Sequence, residues 1–222
     1  MPVIAVIGAQ WGDEGKGKIV DMLAEKARYV IRFSGGDNAG HTVVNHLGQF
    51  ALHLIPSGIF SPRTTCVIGN GVAVNPEVLL KEMSQLNQRG VDTNQLIISD
   101  RAHLIMPYHI LLDNLEEKLR AARAIGTTGK GIGPAFADKA ARLGIRAGEI
   151  IDVDGFRERL RVILDYKNAI LEKIYGTAPL SFDQIYEQYS EYGQILKTYI
   201  RDTSDMLLGL NSDETVLLEG AQ

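Results

Sequence analysis

Apolar and polar positions along this chain alternate in the rhythm of an α/β protein. Val3-Ile4-Ala5-Val6-Ile7-Gly8 is an apolar run, so residues 2–8 read as a buried strand, 15–27 as a helix and 28–33 as a second strand. This β-loop-α-β opening implies parallel pairing through a right-handed crossover. Thr42 to Asn45 and Phe50 to Ile55 alternate around Leu47-Gly48-Gln49, which predicts a hairpin ended by Pro56-Ser57-Gly58. The α/β alternation then resumes with a strand at Cys66–Gly69, a helix at Pro76–Arg89 that has proline in its first turn, a strand at Leu96–Ser99 and an amphipathic helix at Tyr108–Ala124.

From Gly126 to Gly148 glycine and basic residues dominate with little periodicity, and the length predicts a functional loop. Beyond it Phe156, Leu160, Ile163, Leu164, Ile170, Leu171 and Ile174 recur at helical spacing, and residues 181–209 predict one or two more helices whose tyrosines belong to core and interface. Thr215 to Gln222 reads as a strand that runs into the last residue, so the sheet is expected to continue beyond Gln222. The expected fold class is α/β: a mainly parallel central sheet flanked by helices, with nucleotide-binding loops at the sheet edge and a helical insertion. Residues 1–222 are expected to form a single α/β domain, incomplete at the C-terminus, with the helical subregion at about 150–212.

At 222 residues, 45% hydrophobic and 23% charged, the chain can bury a sizeable core. A net charge of −4 argues against broad nucleic-acid or membrane binding. No stretch approaches the roughly 20 apolar residues of a membrane span, and the N-terminus does not read as a signal peptide, so a soluble cytoplasmic protein is expected. Cys66 is the single cysteine and lies beside Val67 and Ile68, which makes it a core thiol in a reducing compartment.

Candidate chemistry concentrates in three loops. In Gly12-Asp13-Glu14-Gly15-Lys16-Gly17-Lys18, glycines let backbone N–H groups close around an anion, the lysines add charge, and the following helix points its positive end at the same spot. The standard phosphate loop, G-x-x-x-x-G-K-[ST], does not fit: the first glycine would fall at Gln10 and the hydroxyl residue at Gly17. A carboxylate beside bound phosphates repels them unless it holds magnesium or takes a proton, and Asp13 is placed for either task. The second loop, Gly35-Gly36-Asp37-Asn38-Ala39-Gly40-His41-Thr42, should open at the same carboxyl edge of the sheet. His41 has no apolar face to bury it there, which points to catalysis or phosphate contact. His46, His53, His103 and His109 sit in strand or helix patterns and read as structural. The third loop, Gly126-Thr127-Thr128-Gly129-Lys130-Gly131-Ile132-Gly133-Pro134, suits a second phosphate, and Arg142 and Arg146 beyond it can clamp phosphate with planar forks.

These loops, together with His53-Leu54-Ile55-Pro56-Ser57-Gly58, Ile68-Gly69-Asn70-Gly71 and Glu219-Gly220-Ala221-Gln222, closely resemble the adenylosuccinate synthetase family along the whole chain. Family members are about twice as long. The resemblance implies a ligase that joins IMP and L-aspartate at the expense of GTP, through a 6-phosphoryl-IMP intermediate, in AMP biosynthesis. By the same match Asp13, His41 and Gln222 are catalytic, Asp13 taking the N1 proton of IMP and His41 hydrogen-bonding the transferring phosphoryl group. GTP contacts fall on Gly12, Asp13, Glu14, Gly15, Lys16, Gly17, Lys18, Gly40, His41 and Thr42. IMP contacts fall on Asp13, Glu14, Gly15, Lys16, Asn38, Ala39, Gly40, His41, Thr128, Arg142 and Gln222. Mg2+ is the implied metal, held by Asp13 and the carbonyl of Gly40, and Arg142 implies a homodimer by reaching the neighbouring subunit's IMP. Lys130 stands where some relatives carry arginine. The segments that select guanine and hold aspartate are not among these residues, so this segment alone is expected to be inactive. Residue types alone also allow another magnesium-dependent phosphotransferase or ligase, or a non-catalytic nucleotide-binding module.

Overall fold

The computed structural model describes residues 2–12, 14–123 and 125–222. In chain order the elements are β1 (Val3–Val6), α1 (Lys16–Ala24), β2 (Tyr29–Arg32), β3 (His41–Asn45), β4 (Gly48–Leu52), β5 (Thr65–Ile68), β6 (Ala73–Val74), α2 (Pro76–Gln88), β7 (Leu96–Ser99), β8 (His103–Leu104), α3 (Pro107–Arg120), α4 (Ile132–Ala141), α5 (Val153–Lys173), α6 (Phe182–Leu196), β9 (Ile200–Arg201), α7 (Thr203–Leu208) and β10 (Val216–Glu219). Among the described residues six strands form one parallel sheet, ordered β1-β10-β2-β5-β7-β9. β3 and β4 make the expected antiparallel hairpin, and β6 pairs with β8 in a small parallel ladder. The α/β class, a mainly parallel sheet flanked by helices, is the one the hydrophobic pattern predicts.

The sheet's centre is apolar on both faces because helices cover both. Residues 29–32 of β2 are all buried, and Cys66, Val67 and Ile68 of β5 are fully buried. Val20 and Ala24 of α1 share a core with Val30, Leu54, Ile55 and Ile59, while Phe156, Leu160 and Ile163 of α5 meet Ile185 and Tyr189 of α6 in the same cluster. Each such side chain stabilises the fold by about 1.5–3 kcal/mol relative to exposure. Cys66 is the buried thiol expected, and burial pushes its pKa well above the ordinary value. Among the described residues no helix is long and apolar enough to cross a membrane.

Four expectations need correction. The first strand is not buried: β1 is the sheet edge, bonded to β10 alone among the described residues, and Val3 and Ile4 are 50% and 42% exposed. The stretch 126–148 is not one loop, since α4 occupies Ile132–Ala141. Gly133 and Pro134 disguise it, although proline is tolerated in a first helical turn, where its missing N–H has no intrahelical partner. The helical subregion is interrupted by β9, which returns to the far sheet edge beside β7 before α7 begins. The helix starting near Tyr108 begins at Pro107, with His109 Nδ1 accepting the Met106 N–H at 2.9 Å.

Register explains how the site is assembled. Val6, Glu219 and Arg32 are neighbours across β1, β10 and β2, so three strands end level with one another. Their carboxyl ends bring the segments after Val6, after Arg32 and after Glu219 to one edge, where ligands bind in open α/β sheets.

Candidate active site

The first loop folds back on itself. Gly8 N–H donates to the Gln222 carbonyl at 3.1 Å, and Gly12 and Gly15 take left-handed φ values of 82° and 78°. Glu14 Oε1 accepts the N–H groups of Gln10 at 2.9 Å and Trp11 at 2.7 Å, and these donors hold its carboxyl below the ordinary value. Lys16 is buried and its ammonium donates to the Gly12 carbonyl, whereas Lys18 is exposed. Gly15 caps α1 without a side-chain hydrogen bond, which leaves first-turn N–H groups available to an anion. Gly17 is a contact residue: a Cβ there would lie 3.0 Å from His41 Cβ and 3.3 Å from Ser57 Oγ. Asp13, expected to act as base and metal ligand, lies outside the described residues.

The second loop is enclosed. His41 opens β3 and is 5% exposed; its Nδ1 bonds the Glu219 carboxylate, and its Nε2 lies 3.3 Å from the Ala221 carbonyl oxygen. Glu219 is fully buried and also accepts Ser57 N–H at 2.8 Å and Ser57 Oγ–H at 2.7 Å. Burial opposes ionisation of Glu219, but His41, Arg32 and Ser57 outweigh it and hold its carboxyl below the ordinary value. Arg32, its register partner, is fully buried and donates through Nη2 to the Gly36 carbonyl at 3.4 Å. His53 braces the loop from behind, its Nδ1 bonding the Ala39 carbonyl at 3.0 Å. Asp37 Oδ1 and Asn38 Oδ1 are buried and have no partner among the described residues. Unpaired buried acceptors of this kind call for a ligand N–H.

Gly12, Asn38, Ala39, Gly40, His41, Ala221 and Gln222 line a cavity of about 160 Å³, so the first loop, the second loop and the segment after β10 converge as expected. Clefts of about 440–450 Å³ lie along α4 and α5, one lined by Glu149, Asp152 and Glu158. The smaller cavity is the one into which two glycine-rich loops and the segment after β10 deliver polar groups, and that chemistry outweighs size.

The third loop reaches the second through Lys130, whose Nζ donates to the Asp37 carbonyl at 2.5 Å, and through Ile132, which packs beside Gly36. Elsewhere α3 holds it: Glu117 accepts Ile125 N–H at 3.2 Å and Gly126 N–H at 2.9 Å, Asn114 Nδ2 donates to the Gly129 carbonyl at 3.3 Å, and Asp113 accepts Gly131 N–H at 2.8 Å. Thr128 is exposed and outside the lining of the small cavity. Arg142, at a left-handed φ of 62° after α4, faces a separate basic cleft with His103, Lys139, Arg146 and Arg159. Of the histidines read as structural, His109 is fully buried and joins Asp138 at 2.9 Å, and Asp138 also holds Lys167 at 2.5 Å.

Among the described residues no three His, Cys, Asp or Glu side chains form a metal cluster. Magnesium does not need one, since it is held by one or two protein oxygens and substrate phosphates. The Gly40 carbonyl at the mouth of this cavity is an oxygen donor of the right kind.

A family model described as adenylosuccinate synthetase matches residues 5–222. The chain belongs to the adenylosuccinate synthetase family. Proteins named adenylosuccinate synthetase from two strains of Dehalococcoides mccartyi are 55% identical to it over 223 residues, which cover 100% of this chain and 53% of theirs. The fully ligated adenylosuccinate synthetase of Plasmodium falciparum has a similar structure, with a TM-score of 0.86 at 34% identity over 98% of this chain and 51% of that one. A cyanophage S-2L succinoaminodeoxyadenylate synthetase shares the fold, with a TM-score of 0.59 at 22% identity. The chain spans about half the length of the curated relatives it matches. Within this adenylosuccinate synthetase scaffold the sequence motifs left Glu219, Ser57 and Arg32 without a role. The one local signal was a charge at the end of an apolar strand, Glu219 after Val216-Leu217-Leu218.

Proposed function

We propose that this chain carries the IMP- and phosphate-handling part of a GTP-dependent ligase that joins IMP to L-aspartate and yields adenylosuccinate, GDP and phosphate. The observation that carries this reading is the cavity at the sheet edge, where Gly12, Asn38, Gly40, His41 and Gln222 converge. Asp13 takes the N1 proton of IMP, so that O6 attacks the γ-phosphate of GTP and 6-phosphoryl-IMP forms. His41 donates a hydrogen bond to the phosphoryl group in transfer, and the first-turn N–H groups of α1 with Lys16 hold the nucleotide phosphates. The amino group of aspartate then displaces phosphate at C6. Asp13 and the Gly40 carbonyl would hold magnesium, which supplies neutralising charge to the GTP phosphates when bound.

Asn38, Thr128 and Gln222 contact IMP in this reading, with the open acceptor Asn38 Oδ1 supporting the first of these. Arg142 serves the neighbouring subunit of a homodimer, consistent with its exposure and its distance from the cavity lining. Residues 1–222 by themselves are expected to show no turnover. The test is an assay of the complete gene product with IMP, magnesium and GTP, with and without L-aspartate, following adenylosuccinate by ultraviolet absorbance. Aspartate-dependent product supports the ligase; nucleotide consumption that ignores aspartate points to another phosphotransferase, and binding without consumption to a nucleotide-binding module.

A further inference from the structure

The carboxyl ends of β2 and β10 bury charges that the reaction as proposed does not use. Glu219 and Arg32 are both fully buried at adjacent register positions, where an apolar pair would serve the sheet at lower cost. We infer that Glu219 is a positioning residue for His41: its carboxylate fixes the imidazole through the Nδ1–H bond and so turns the Nε2 edge of the ring toward the cavity. This rests on the reading of His41 as the group that contacts the transferring phosphoryl.

The geometry supports the assignment from each side of the carboxylate. An ionised carboxylate only accepts, so a ring nitrogen bonded to it carries the proton. The other ring nitrogen faces the carbonyl oxygen of Ala221, another pure acceptor, at 3.3 Å, and that residue lines the cavity. The ring therefore turns its Nε2 edge toward the place where a phosphoryl oxygen would sit. Ser57 gives Glu219 two further bonds through its N–H and hydroxyl, so the carboxylate cannot rotate away without losing both. Arg32 has two buried nitrogens, Nε and Nη1, without hydrogen-bond partners among the described residues, and its charge favours the ionised form of Glu219.

Ser57 is itself fixed. Glu82 on α2 accepts three successive backbone N–H groups, from His53 at 3.0 Å, Leu54 at 3.0 Å and Ile55 at 3.2 Å, and so pins the segment that leads to Pro56-Ser57-Gly58. Gly17 lets the first turn of α1 close over His41 and Ser57 together. The motif His53 to Gly58 thereby acquires a purpose: it holds the carboxylate that holds the histidine. A carboxylate behind a working imidazole sets ring orientation and the nitrogen that bears the proton, and loss of such a partner costs about 10- to 100-fold where it has been measured at metal sites.

The test compares Glu219→Gln and Glu219→Asp with wild type in the complete gene product. Glu219→Gln is expected to lower kcat about 10- to 100-fold with KM for IMP and GTP within about twofold, and Glu219→Asp to recover part of the loss. An unchanged kcat, or a rise in both KM values with kcat retained, would overturn the inference and leave the proposed ligase standing. Ring-nitrogen NMR of His41 is independent of turnover. A hydrogen-bonded proton on Nδ1 in wild type supports the inference, and a bare Nδ1 overturns it, even if no adenylosuccinate is formed and the ligase reading fails. Should Glu219→Gln not fold, that wild-type spectrum decides alone.

Discussion

The second and third glycine loops carry similar numbers of anchoring bonds in opposite surroundings. Around the second loop His41, Asp37, Glu219 and Arg32 are buried, and braces arrive from Glu219 of β10 at His41 and from His53 at Ala39. Around the third, Asp113 is one buried anchor, at Gly131, but Asn114 and Glu117 make their bonds at the solvent side of α3, and Thr127 and Thr128 are exposed. Bonds made in a dry interior fix their groups before a ligand arrives, while bonds at the surface compete with water and can be exchanged. The second loop is thus fixed in advance, and the third is the one whose surface anchors can be exchanged with water.

The comparison breaks most visibly at Arg32. Arg32→Ala leaves Glu219 and Glu82 buried without the nearby cation, and urea denaturation is expected to show a loss of about 3–5 kcal/mol. A loss below about 1 kcal/mol would mean that burial, not charge balance, holds the second loop.

A pH series sharpens the same point. Burial raises the Glu82 carboxyl to about 7, outweighing its three backbone donors and Arg32. The folded state therefore keeps a proton that the unfolded chain gives up above its ordinary value near 4.5. This contribution is fully present below that value and is lost as pH rises toward about 7. Glu82→Gln should remove that decline, which the difference between wild-type and variant unfolding free energies at pH 5 and pH 7.5 measures. Identical pH dependence in both proteins would count against it.

Lys130→Ala cuts the bond between the two loops. Because Lys130 is partly exposed, IMP affinity by calorimetry is expected to fall by roughly fivefold, about 1 kcal/mol, with little change in thermal midpoint. Glu117→Gln should have the smallest effect, a midpoint shift of under about 2 °C. A larger shift would show that the third loop is as firmly built as the second.

The sequence made the sheet class, the hairpin and the glycine loops legible because each rests on local signals: apolar runs, alternation, and glycines where left-handed backbone is needed. It hid α4 because Gly133 and Pro134 resemble loop chemistry, and it misjudged β1 because an apolar run does not say whether a strand lies inside the sheet or at its edge. His41 was singled out by its glycine setting. Its partner Glu219 is 178 residues away in sequence, and only the register of β10 against β2 brings the two together. Thr128 and Arg142 show the converse, since loop chemistry marked them while the structure sets them outside the small cavity.

The long stretch of chain between β1 and its partner β10 has a consequence for synthesis. Val3 faces Val216, so β1 leaves the ribosome and waits for β10 before this pair can form. At roughly 5–20 residues per second that wait is roughly 10–40 s. During it an apolar strand offers unpaired backbone to other chains, a hazard that long-range parallel pairing brings with it. The pocket around His41 is completed at the same moment, because Glu219 and Ala221 arrive with that strand. A nascent chain stalled short of this point would display the first two glycine loops and yet lack the wall against which His41 rests.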